Sequence, residues 1–147
     1  EKKYNFKEMI ALINKIDSKT FFGESTAYKA SVSSGRFNTS DDYKLVRNIS
    51  RLYEHFFVRL DLNGNMLDKI VINFSDDFLS NFNKARFNQT NIDTLKLKNY
   101  FFSNDFHNAL LNVYDMQNNY YLKRLSETRN QLIAIKDLFS NQQQILK

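Results

Sequence analysis

The chain has 147 residues, 42% of them hydrophobic, with 14 Phe and 8 Tyr, which supplies the core of one domain of ordinary size. No Pro and three Gly argue against an all-β sandwich, and the absence of Cys excludes disulfides, thiolate metal sites and a Cys nucleophile. A net charge of +5, with 21 basic and 16 acidic residues interspersed, favours encounters with acidic partners and falls short of a dedicated nucleic-acid arm.

The expected fold is therefore all-α. It is a compact bundle of four to six helices in a single domain over residues 1–147, with a long C-terminal helix. No apolar run is long enough to span a bilayer. The chain begins at Glu1, which reads as a mature or excised segment. The abundance of Lys, Asn, Phe, Tyr and Ile suggests an A+T-rich genome. By composition the chain resembles surface-exposed or secreted helical modules of low-GC microbes, so a secreted or cell-surface location is favoured over a cytoplasmic one.

In chain order, the spacing of Phe6, Met9, Ile10, Ile13 and Ile16 predicts a first helix from about Asn5 to Asp17. A short helix over Thr26 to Val32 follows. The second main helix starts at a Ser40 cap, with Asp41 and Asp42 in its first turn against the helix dipole. Leu45, Val46, Ile49, Leu52, Tyr53, Phe56, Phe57 and Leu60 then fill one broad face. Leu52, Phe56 and Leu60 are the expected core residues; Arg51 and Arg59 are expected in solvent.

Asn63-Gly64 resembles a hairpin turn. Pairing across it would set Leu60 against Leu67 but Val58 against Lys69, mixing both faces. A helix–helix turn leading into a third helix through Leu67, Ile70, Val71, Phe74, Phe78 and Phe82 is the cleaner reading. Ser75-Asp76-Asp77 marks a break or kink within it. A polar loop around Phe87 to Thr90 and a shorter helix over Ile92 to Phe102 come next.

Ser103 opens the last helix, running to about Leu146. Its second half carries Tyr121, Leu125, Thr128, Leu132, Ile135, Phe139, Gln142 and Leu146, the four–three alternation of a coiled-coil seam. The seam needs cover. A break near Asn118-Asn119 that folds the helix back within a monomer is favoured, with a homodimer through this helix as the alternative.

Catalytic patterns are weak. His55 lies among cations, and His107 sits near Asp105 at a helix start without further ligands, so no metal or cofactor is expected. The Asp61, Asn63, Asn65 series mimics a calcium loop, but Met66 stands at the turn glycine and Ile72 at the closing Glu. Isolated Gly23, Gly35 and Gly64 form no phosphate-binding loop. The sequons at Asn38, Asn48, Asn73 and Asn88 follow from the abundance of Asn, and Asn48 lies inside a helix.

Two surfaces remain. Lys44, Arg47, Arg51, His55 and Arg59 lie opposite the apolar face of the second helix, with Glu54 at the edge, within reach of Arg51. Tyr114, Tyr120 and Tyr121, followed by Lys123 and Arg124, combine residue types enriched in binding hot spots. The expected function is a non-catalytic protein-binding module that docks an acidic partner through the basic helix face. The alternatives are nucleic-acid or glycosaminoglycan binding, or a ribonuclease. The stretch Val46-Arg47-Asn48-Ile49-Ser50-Arg51-Leu52-Tyr53-Glu54-His55 resembles the Arg-to-His helix of the all-α HEPN ribonucleases, which implies metal-independent RNA cleavage. That family separates the pair by four to six residues. Here seven separate Arg47 from His55, and three separate Arg51 from it.

Overall fold

A computed structural model describes residues 5–39, 41–82 and 93–145; the side chains of Asn38 and of residues 142–145 fall outside the description. Its regular structure is entirely helical. The α-helices are α1 (Phe6–Ile13), α2 (Thr26–Ser33), α3 (Tyr43–Arg51), α4 (Val58–Asn81), α5 (Thr94–Phe101), α6 (Asn104–Asp115) and α7 (Leu122–Ile145). Two π turns, Leu52–Phe57 and Met116–Tyr121, join α3 to α4 and α6 to α7 without a break, and Arg36–Thr39 forms a short 3₁₀ turn.

The helix starts obey local chemistry. Each of four caps satisfies an amide that the first turn leaves without an intrahelical partner. Asn5 accepts from the amide of Glu8, Asp42 from Leu45, Asp93 from Leu95 and Lys96, and Ser103 from Phe106. The cap of α3 is thus Asp42; Ser40, expected in that role, lies outside the described residues. So does the expected polar loop around Phe87 to Thr90.

The chain divides into two compact units, residues 1–19 with 65–119, and residues 20–64 with 120–147. The first unit has a core of stacked and edge-on rings. Phe101 lies 6.1 Å from Phe6 at an interplanar angle of 10°, and 5.1 Å from Phe106 at 80°. Phe78 packs on Phe82, Tyr100 and Phe101. Ile10, Leu67, Val71, Phe74, Leu97 and Val113 are buried around them. Such ring pairs add about 0.5–1.5 kcal/mol each beyond their burial. At the rim Tyr100 donates its hydroxyl to Asp77 at 2.8 Å, and Lys96 donates to the Asn81 carbonyl at 2.9 Å.

The second unit is built on α3, its π turn and α7. Leu45, Leu52, Phe57 and Ile135 form its core, with Ile49, Tyr53, Phe56 and Leu138 packed against them. Leu60 is fully enclosed at 0% exposure. Gln131, buried on α7, donates to both the backbone carbonyl and the side-chain oxygen of Asn48 on α3, at 2.9 and 3.0 Å. Thr128 hides its hydroxyl by donating to the Arg124 carbonyl at 2.8 Å. Helix α2 buries none of its residues; Tyr28 holds it by stacking on Tyr53 at 4.4 Å and by donating its hydroxyl to Glu54.

Four expectations are corrected. Asn63-Gly64 is neither a hairpin nor a helix–helix turn, because α4 runs straight through it. Gly64 is buried, and a Cβ there would lie 3.3 Å from Thr20 and 3.5 Å from the Tyr121 ring, so the glycine permits close packing rather than a turn. Nor does Ser75-Asp76-Asp77 interrupt α4; the backbone there already has intrahelical partners, so the acids cap nothing. The C-terminal helix does not fold back at Asn118-Asn119, which lies in the second π turn, and the α7 side chains that face the core are covered by α3 within the same unit. The covered seam holds at Tyr121, Thr128 and Ile135 but not at Leu132 and Phe139. Tyr121, Thr128, Gln131 and Ile135 are buried and Leu138 half-buried, whereas Leu132 and Phe139 are 43% and 47% exposed.

Candidate interaction surface

The first π turn sets the geometry of the basic face. In π geometry the backbone bonds run from i to i+5, one residue wider than in an α-helix. Leu52 and Phe57, five apart, therefore share the buried side. Phe56, expected in the core, is displaced to its edge and is only half-buried. There it supports two members of the basic row. The Arg51 guanidinium lies 5.5 Å from the Phe56 ring centroid, and the His55 ring meets it edge-on at 5.4 Å.

The same turn straightens the row. A four-residue step in an α-helix overshoots a full turn by about 40°, so residues at such spacing drift around the helix. Within a π turn the same step falls short of a turn. Over Arg51, His55 and Arg59 the two tendencies oppose each other, which reduces the drift of the row around the helix. Lys44, Arg47, Arg51, His55 and Arg59 are all exposed, as expected for Arg51 and Arg59. None of them makes an ion pair among the described residues. Glu54 does not reach across to Arg51, since its carboxylate accepts from the Tyr28 hydroxyl. Burial and this acidic neighbour both raise the pKa of Tyr28.

The second expected surface does not hold together. Tyr121 is buried at 3% exposure, and its hydroxyl accepts from the Phe21 amide at 2.6 Å, so it is a packing residue. Arg124 is engaged by Glu127 at 2.6 Å. Tyr120 is 50% exposed and Lys123 is exposed, while Tyr114 belongs to the other unit. The signal that separates Tyr121 from Tyr120 was already in the sequence, since Tyr121 stands first in the apolar seam of the last helix and Tyr120 lies off it.

One feature of the first unit was not legible beforehand. An open groove of about 290 Å³ is lined by Leu12, Lys15, Ile16, Leu110, Val113 and Tyr114, among others. His107 is exposed beside Phe106, and Ser103 caps its helix as expected. Among the described residues, no group of three or more His, Asp or Glu side chains is placed to hold a metal ion, and no helix is long and apolar enough to cross a membrane. The calcium-like Asp61 to Asn65 series lies inside α4, where residues two apart do not face one another.

A family model described as "Family of unknown function (DUF6090)" matches residues 2–108, a stretch that contains all five members of the basic row. No curated protein and no solved structure matches the chain.

Proposed function

The chain belongs to this family of unknown function, and we propose that it is a non-catalytic interaction module that docks an acidic protein partner through the basic face of α3 and its π turn. The observation that carries this reading is the row itself. Lys44, Arg47, Arg51, His55 and Arg59 stand exposed along one helical run with no acid neutralising them among the described residues. A linear array of one sign speeds the approach of an oppositely charged partner and rejects basic ones. Support also comes from composition, since Arg over an aromatic ring is a pairing that binding surfaces favour.

Titration of the full chain with labelled polyglutamate and with duplex DNA, each over a salt series, tests the reading. It predicts salt-sensitive binding to polyglutamate that is lost in Arg47→Glu/Arg51→Glu. Preferential binding to DNA with a steep salt slope would replace it with a nucleic-acid reading. RNA cleavage abolished by His55→Ala would replace it with a ribonuclease.

A further inference from the structure

The basic row carries information about the shape of what it binds. Resting on the docking reading above, we infer that the partner presents an acidic, amphipathic α-helix laid lengthwise along α3 and its π turn. From Lys44 to Arg59 the row covers sixteen residues, about 22 Å of helix. Its members advance by three residues once and by four thereafter, so neighbouring charges rise by about 4.5–6 Å. Carboxylates at i, i+3 and i+4 on a second helix rise by similar amounts and can meet Lys44, Arg47, Arg51 and Arg59, with an N–H of His55 between the last two. The π turn reduces the drift of the row, and a partner helix whose carboxylates alternate by three and four residues drifts little itself, by about 20° per seven residues.

The edge of the row identifies the partner as protein. Tyr43 is 78% exposed, Val58 58% and Leu62 59%. Tyr43 lies four residues before Arg47, Val58 three after His55 and Leu62 three after Arg59, so all three are offset from the row in the same direction. A phosphate backbone offers such side chains nothing to pack against. A helix with Leu or Ile beside its acidic stripe does, and it gains apolar burial in addition to charge pairing. One helix laid against about four turns makes a small interface, below about 1,000 Å² in total, which places the complex in the transient class with an affinity of about micromolar order.

The test uses the full chain and two synthetic peptides of identical composition. One carries Glu alternating by three and four residues with Leu along one edge; the other is scrambled so that no helical face is acidic. Binding is read by fluorescence anisotropy and peptide helicity by circular dichroism. The patterned peptide should bind at least about tenfold more tightly than the scrambled one and gain helix on binding. Val58→Ser/Leu62→Ser, which alters two exposed positions, should erase most of that preference and leave scrambled-peptide binding unchanged. Equal binding of the two peptides refutes the helical partner and leaves acidic docking standing. Binding of neither peptide refutes both. Tighter binding of duplex DNA or of phosphatidylglycerol vesicles than of the patterned peptide overturns both in favour of a phosphate-bearing ligand.

Discussion

Truncating Phe57 and Phe56 in parallel probes the feature on which the whole surface depends. In an uninterrupted α-helix Phe56 would continue the line of Leu45, Leu52 and Leu60, and Phe57 would sit at its margin. The π turn exchanges them. Phe57 is 8% exposed and packs 5.1 Å from Tyr53 and 5.7 Å from Phe21, within the Leu45, Leu52 and Ile135 cluster. Phe57→Ala should therefore cost about 3–5 kcal/mol, the transfer term plus a cavity that a ring-packed core cannot close. Phe56 is half-buried, so Phe56→Ala should lose about half the transfer term and about 0.5–1 kcal/mol of the Arg51 contact, near 2 kcal/mol in all. At about 2–4 °C per kcal/mol for a chain of this size, Phe57→Ala should melt roughly 10 °C below wild type and Phe56→Ala roughly 5 °C below. Urea unfolding followed by circular dichroism gives both differences. An equal or larger cost for Phe56→Ala would mean that the helix keeps α geometry through residues 52–57, and the argument for a basic row of reduced drift would fall with it.

Three further outcomes follow from the packing. Gly23→Ala would place a Cβ 2.6 Å from Cδ2 of the Phe57 ring, so the variant should lose about 1–3 kcal/mol in the same unfolding assay. Gln131→Ala removes the donor that joins α7 to α3 through Asn48 and should cost about 1–2 kcal/mol, with amide exchange on α7 accelerating more than in the other unit. Burial, and then the bond to Asp77, raise the pKa of Tyr100 above its unfolded value; its stabilising contribution is complete below about pH 10 and is lost as pH rises beyond that. Tyr100→Phe should make the alkaline fall in melting temperature shallower, and an unchanged slope would show that another group titrates there.

Much of the helical order was legible because it is local. The Ser103 cap, the short helix at residues 26–33 and the apolar stripe from Leu67 to Phe78 follow from caps and from spacing near 3.6 residues. Three kinds of information were not local. A π turn is invisible to any periodicity that assumes a fixed angle per residue, and it set Phe57 in the core with Phe56 at its edge. Asn63-Gly64 has the composition of a turn, but the lack of a side chain at Gly64 serves a neighbour, Thr20, distant in sequence. The covered face of α7 contains Gln131, whose value lies in a hydrogen bond to Asn48; a search for apolar residues passes over it and selects Leu132 and Phe139 instead. The basic row itself was readable in full, since exposed charge opposite an apolar stripe needs no tertiary knowledge. Its reduced drift was not.

The central claim is that this row docks an acidic protein surface, and the most direct test is the association rate constant of wild type and of Arg47→Glu/Arg51→Glu with the patterned acidic peptide, measured by stopped flow from low to high ionic strength. Both arginines are exposed, so the double variant should keep its helical signal. The account predicts a wild-type rate that falls steeply with salt and a variant that is at least about tenfold slower at low ionic strength, the two converging at high salt as screening removes the difference. Identical rates for the two proteins across the series would contradict it and leave the row as ordinary solvated surface.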